Sequence, residues 1–159
     1  MLRTPTVLTA CAAALAAGGT VAAAQGGPAP TSTQDLTFKN PSLHNTYVDT
    51  GTKGPTTGDY VVDSGALDDP ASGAAKGTII NSCLLVKIGK RNGYSCRGGV
   101  ELAGGRIAIS LIGTREEKVS TFAIDGGTGA YATARGTVVT TPLSSKDGGP
   151  SRIEVHIIG

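Results

Sequence analysis

The sequence predicts a single all-β domain, on three observations. Valine and isoleucine cluster in short apolar runs, the runs are separated by Gly, Asn, Asp or Pro, and no stretch sustains a 3.6-residue period between helix caps. Glycine supplies 24 of the 159 residues, aromatics are limited to four tyrosines and two phenylalanines, and charged residues make up 16%, against the roughly 25% usual for soluble domains. That composition disfavours a long helix, a coiled coil and a charge-driven disordered chain, while 39% hydrophobic content suffices for one core. The formal charge is +2 and no basic cluster exceeds Lys90-Arg91, so the electrostatic footprint of a nucleic-acid binder is missing.

Three segments follow from the N-terminus. Residues 1–24 carry one positive charge at Arg3, an apolar stretch from Val7 to Ala17 and a small-residue end at Ala22-Ala23-Ala24, the pattern of a secretory signal peptide cleaved after Ala24. Gly18-Gly19-Thr20 cut the apolar run too short for a membrane span. Leu8-Thr9-Ala10-Cys11 also has the form of a lipoprotein cleavage box, but lipidation at Cys11 would leave an apolar region from Thr6 to Ala10, shorter than export needs. Residues 25–35 are rich in Pro, Gly and polar side chains and read as a disordered leader, which leaves 36–159 as the domain of an exported, extracellular protein.

Within the domain the strand candidates are Leu36–Lys39, Asn45–Asp49, Asp59–Gly65, Thr78–Ile88, Tyr94–Leu102, Arg106–Ile112, Val119–Ile124, Gly136–Thr141 and Arg152–Ile158, counted as seven or eight strands. Their connections are short except at Asp68 to Lys76, which favours antiparallel neighbours in a meander. In the last run Ile153, Val155 and Ile157 share one face and Arg152, Glu154 and His156 the other, so the strand is half-buried with His156 outside. Alternation likewise turns Tyr94, Cys96, Gly98, Val100 and Leu102 inward, and Ile107, Ile109 and Leu111 in the following run. Thr78–Ile88 differs, because both its faces are apolar and both want cover. A closed barrel with one wall packed on another subunit, or on the folded-back amino-terminal segment, would supply it.

Loss of Cys11 with the leader leaves Cys83 and Cys96, an even pair that reads as a disulfide in an exported chain. The two flanking runs enclose Gly89-Lys90-Arg91-Asn92-Gly93, and pairing Cys83 with Cys96 sets a hairpin register with Gly89 and Lys90 at its tip. Closing a loop of that size should stabilise the domain by about 3 kcal/mol.

The segment Phe122-Ala123-Ile124-Asp125-Gly126-Gly127-Thr128-Gly129-Ala130-Tyr131, continuing through Ala134-Arg135-Gly136 into Thr137-Val138, resembles the signature of the allene oxide cyclase and dirigent barrel superfamily. Gly58-Asp59-Tyr60-Val61-Val62 is similar to the strand opening of the plant cyclases, and Gly77 to Cys83 to their Gly-to-Cys strand. The resemblance spans about Thr46 to Ile158 and implies an all-β, eight-stranded antiparallel barrel with an apolar cavity, commonly a trimer in plants. It also implies that the glycine-rich turn is structural, with Tyr131 plugging a barrel end. A P-loop lysine and following helix are both missing, so the turn does not read as a phosphate cradle. Of the cyclase cavity residues, the Asn position corresponds to Gly65, the Glu to Asp49 at best, and the Cys to Cys83. The dirigent Asp pair falls on Ser64 and Gly65, while Asp68-Asp69-Pro70 reads as a turn.

Other constellations carry less. His44 and His156 are isolated, so no metal site is expected; no Gly-x-Ser-x-Gly elbow occurs; and Arg115-Glu116-Glu117-Lys118 reads as a solvated loop. No cofactor is implied. Asp49, Tyr60 and Asn81 are the candidate ligand-binding residues, and no side chain is assigned a catalytic role. Two functions are consistent with these residues. One is a barrel that binds a small apolar molecule and steers its cyclisation or coupling; the other is a non-catalytic structural or interaction module, with the outer face of Thr78–Ile88 as a homo-oligomer contact.

Overall fold

The computed structural model describes residues 33–88, 90–114, 118–146 and 148–159. The expected signal peptide, most of the leader, Gly89 and the core of the Arg115 loop lie outside them. The strands are β1 (Thr33–Asn40), β2 (His44–Val48), β3 (Tyr60–Asp68), β4 (Ala75–Ile88), β5 (Arg91–Leu102), β6 (Gly105–Thr114), β7 (Ser120–Gly127), β8 (Arg135–Pro142) and β9 (Ser151–Ile158), with one 3-10 turn at Gly129–Tyr131. Every candidate run forms a strand. The first begins earlier than its apolar pattern indicates, because Thr33, Gln34 and Asp35 pair with Ile158, Ile157 and His156 of β9. Backbone pairing, which needs no apolar side chain, holds them there.

From β3 to β9 each strand pairs antiparallel with the next, and β1 pairs with β9 on one side and with β3 on the other. Eight strands thereby close into a barrel, and β2 is the extra one, extending the β1 line along the first half of β3. Pairing of Cys83 with Cys96 across β4 and β5 continues to Ile88 opposite Arg91, the hairpin register expected from the cysteines, and the two form a disulfide.

The expected faces also form. Val100, Ile107, Ile109, Ile153, Val155 and Ile157 are buried in one core together with Leu67, Ile79, Phe122, Ile124 and Val138, while His156 is outside with Nδ1 2.7 Å from Asp35 Oδ1. The end where β5 meets β6 is sealed by the glycine-rich turn. Thr128 N–H donates to Arg106 O and Ala130 N–H to Gly104 O, both at 2.8 Å, and Tyr131 packs on the core. Gly136, which starts the return strand, has φ +123°, and a Cβ there would overlap the carbonyl oxygen of His156. Asp68 ends β3 and the expected turn begins at Asp69-Pro70, with Asp69 Oδ1 accepting from Ala71 N–H and Ser72 N–H.

Candidate functional site

Antiparallel registers set side chains of neighbouring strands in rows, and three inward rows build the site. Tyr47, Val61, Cys83, Cys96 and Leu111 form one row across β2 to β6. Beside it run Asn45, Asp63, Asn81, Gly98 and Ile109, and on the other side Leu85, Tyr94 and Gly113. Below them the barrel is filled by the core; above them it is not. A cavity of 520 Å³ remains, walled chiefly by those rows and by Phe122, Thr140 and Ile153 from the opposite side. Its size falls within the range of small-molecule sites. The Cys83–Cys96 disulfide lies in this wall, so the cysteine matching the cyclase cavity position faces the void as half of a bridge.

The polar groups of the wall are specific. Asp63 accepts from Asn45 Nδ2 at 2.6 Å through Oδ1 and from Asn81 Nδ2 at 2.9 Å through Oδ2. Asn81 Nδ2 also lies 3.5 Å from Cys83 Sγ. At Gly65, where the cyclase resemblance sets an Asn, a Cβ would overlap Nδ2 of Asn40. Asn40 is fully buried, donates from Nδ2 to Ala66 O at 2.7 Å, and keeps its Oδ1 without a partner among the described residues.

Of the three ligand-binding candidates, Asn81 stands in the cavity wall and the other two stand elsewhere. Tyr60 lies on the outer face, opposite Val48 and Leu84. Asp49 follows β2 at the mouth, where its carboxylate accepts from Gly51 N–H and Gly54 N–H and shapes the loop. Sequence reasoning missed Asp63, Asn45, Tyr47 and Asp59. The first shares a face with Val61, Gly65 and Leu67, a mixed set that does not read as an apolar stripe.

Asp59 organises the mouth. Although fully buried, its carboxylate accepts from the Tyr47 hydroxyl, from Thr50 N–H at 2.9 Å and from Thr56 N–H at 2.6 Å, tying β2 and its following loop to the start of β3. The Tyr47 hydrogen bond, followed by those from the two backbone amides, holds the Asp59 carboxyl well below the usual carboxylate range. The same hydroxyl–carboxylate bond, with partial burial and the negative charges of Asp59 and Asp49, pushes the Tyr47 phenol from 10.0 up to about 12. Tyr47 is therefore a hydroxyl, not a phenolate, at the cavity rim. Among the described residues, no three His, Cys, Asp or Glu side chains gather as a metal-binding group, and no helix is long and apolar enough to cross a membrane.

No family model and no curated protein matches the chain. Solved structures do. A pyocyanin demethylase superposes with a TM-score of 0.62 at 24% identity, over 79% of this chain and 99% of that one. A Diels–Alderase from Streptomyces koyangensis gives 0.68 at 12% identity, over 82% and 70%. A pterocarpan synthase dirigent protein gives 0.60 at 20% identity, over 80% and 88%. The chain shares the closed antiparallel barrel fold of these dirigent and Diels–Alderase structures, as the resemblance in its sequence implies. At these identities the likeness concerns the fold, and the chemistry has to be argued from the cavity.

The two shifted groups give opposite pH limits. Tyr47, raised in the folded state, contributes stability that is complete below pH about 10 and is lost as pH rises towards about 12. Asp59, lowered, contributes fully above pH about 4 and loses its contribution as pH falls through its folded value. Ultraviolet titration should show one tyrosine ionising near 12, absent in Tyr47→Phe and returned towards 10.0 in Asp59→Asn. Four tyrosines ionising together near 10 would contradict the Tyr47–Asp59 bond.

Proposed function

We propose that the protein is an exported barrel that binds a small hydrophobic molecule in the open-ended cavity and holds it in one conformation, steering a cyclisation or coupling. The observation that carries this reading is the 520 Å³ void in a barrel whose other half is closely packed. An apolar wall with a few oriented polar groups confines a flexible ligand, and confinement lowers the entropic part of a ring-forming or coupling barrier without a nucleophile. Asp63 and Asn81 are the polar groups that orient the ligand, and Tyr47 contributes its ring at the rim. Support also comes from structural neighbours described as a Diels–Alderase and a pterocarpan synthase dirigent protein. Export is supported by the Cys83–Cys96 disulfide, a bond that persists in oxidising compartments.

Native mass spectrometry of protein recovered from its own culture medium tests the binding. One small molecule per chain is expected, displaced when Leu111→Trp fills the cavity. Protein that carries no ligand and takes up none of a lipid, terpenoid and phenolic panel would contradict the reading.

A second reading, an interaction module built on a homo-oligomer, is favoured by the outer wall. Val48, Tyr60, Leu84, Ser95 and Ile112 form a continuous uncharged row across five strands, β2 to β6. In the next outward row but one, Ile80 is 53% exposed, and Ile112 reaches 75%. The wall formed by β1 and β9 instead carries Arg152 paired with Glu154 and His156 beside Asp35. A second copy of the chain would cover the apolar residues of the β2 to β6 wall, and the row between them, Thr46, Val62, Ser82, Arg97 and Ser110, would bring one charge to the contact. Sedimentation of the mature protein should show an oligomer that Leu84→Lys dissociates. A monomer in both forms would remove the contact.

A further inference from the structure

We propose that the cavity selects an organic cation: a compact aromatic or otherwise apolar molecule bearing a quaternary or protonated nitrogen directed at Asp63. This rests on the reading that the cavity binds a small molecule, and it assigns that molecule's charge.

Three features lead to it. The first is the charge of the wall. Asp63 is the carboxylate lining the cavity, and among the described lining residues there is no Lys, Arg or His to neutralise it. The second is hydrogen-bond polarity. A carboxylate accepts at about four lone-pair positions, and two are used by Asn45 Nδ2 and Asn81 Nδ2. The amide nitrogen of Asn81 is directed at Asp63 and Cys83, so its carbonyl oxygen is the remaining polar group of that side chain. The row Asn45, Asp63 and Asn81 therefore presents mainly acceptors. A ligand that brings a positive charge or a donor completes it, whereas an anion meets like charge. The third is the surrounding surface. Tyr47, Tyr94 and Phe122 contribute rings to the same cavity, and the faces of such rings attract cations.

Asp63 is half-buried at the open end of the chamber, where solvent reaches the carboxylate. Its two amide partners are neutral and fixed by the β2–β3–β4 register, so they orient the charge without cancelling it. An arginine partner would have made an internal ion pair and left nothing for a ligand.

Three probes of nearly equal shape separate charge from size: 1-methylquinolinium, 1-methylnaphthalene and 1-naphthoate. Calorimetric titration of the mature, disulfide-bonded protein should give one site per chain, with 1-methylquinolinium bound at least tenfold more tightly than 1-methylnaphthalene and 1-naphthoate weakest. In Asp63→Asn the cation's advantage over the neutral probe should fall from at least tenfold to within threefold. Where that variant does not fold, raising the salt concentration with the wild-type protein supplies the second measurement, weakening the cation and sparing the neutral probe. Equal or tighter binding of 1-methylnaphthalene by the wild type would overturn the cation proposal and leave the cavity reading standing. Failure of all three probes to bind folded protein would overturn both.

Discussion

The structure depends on β1 being shared between two neighbours. Along its whole length β1 pairs with β9, but to β3 the ladder is a single pair, Lys39 opposite Asp68. Asn40 completes the seam from its side chain, with Nδ2 bonded to Ala66 O and the glycine at position 65 leaving room for it. Without that seam β1 and the second half of β3, beyond its pairing with β2, would be open edges, and the inner rows would line a curved sheet instead of a chamber.

Closure then divides the interior unequally. Where β5–β6 and β7–β8 turn, the inward residues are branched and large, and the Gly126 to Tyr131 segment folds back over the end. Towards the other end the inward positions of β3 to β6 include Asp63, Asn81 and the disulfide, which fill less space and leave the void. Asp59 gathers Tyr47, Thr50 and Thr56 around one carboxylate and so fixes the rim of that void, a local network worth more to shape than to chemistry. The polar row below it is different, because its carboxylate keeps unused acceptor capacity facing the chamber.

Much of the fold was legible because alternation in Tyr94–Leu102, Arg106–Ile112 and Arg152–Ile158 is clean, and because Cys83 and Cys96 pin the one hairpin register that orders the rest. The site was less legible. Asn81 was found because it interrupts an apolar strand face. Asp63 was not, since the inward face of β3 mixes Val61, Asp63, Gly65 and Leu67 and so gives no apolar stripe. Asn40 and Gly65 meet only through barrel closure, and Asp59 draws its partners from segments on both sides of the mouth loop. Such contacts are products of tertiary pairing and have no local signature. Tyr60 is outward for a related reason: the register of β3 against β4 matches it with Leu84, and the face of β4 carrying Leu84 has no apolar–polar contrast to mark it as the outer one.

The most direct measurement is of the seam itself, by nuclear Overhauser spectroscopy on the mature protein. The account predicts contacts between the Asn40 side-chain amide protons and the α-protons of Gly65, and slow amide exchange at the Lys39–Asp68 pairing. Absence of those contacts, with the amides at the Lys39–Asp68 pairing exchanging like those of a free sheet edge, would mean an open sheet without a chamber and would contradict the account.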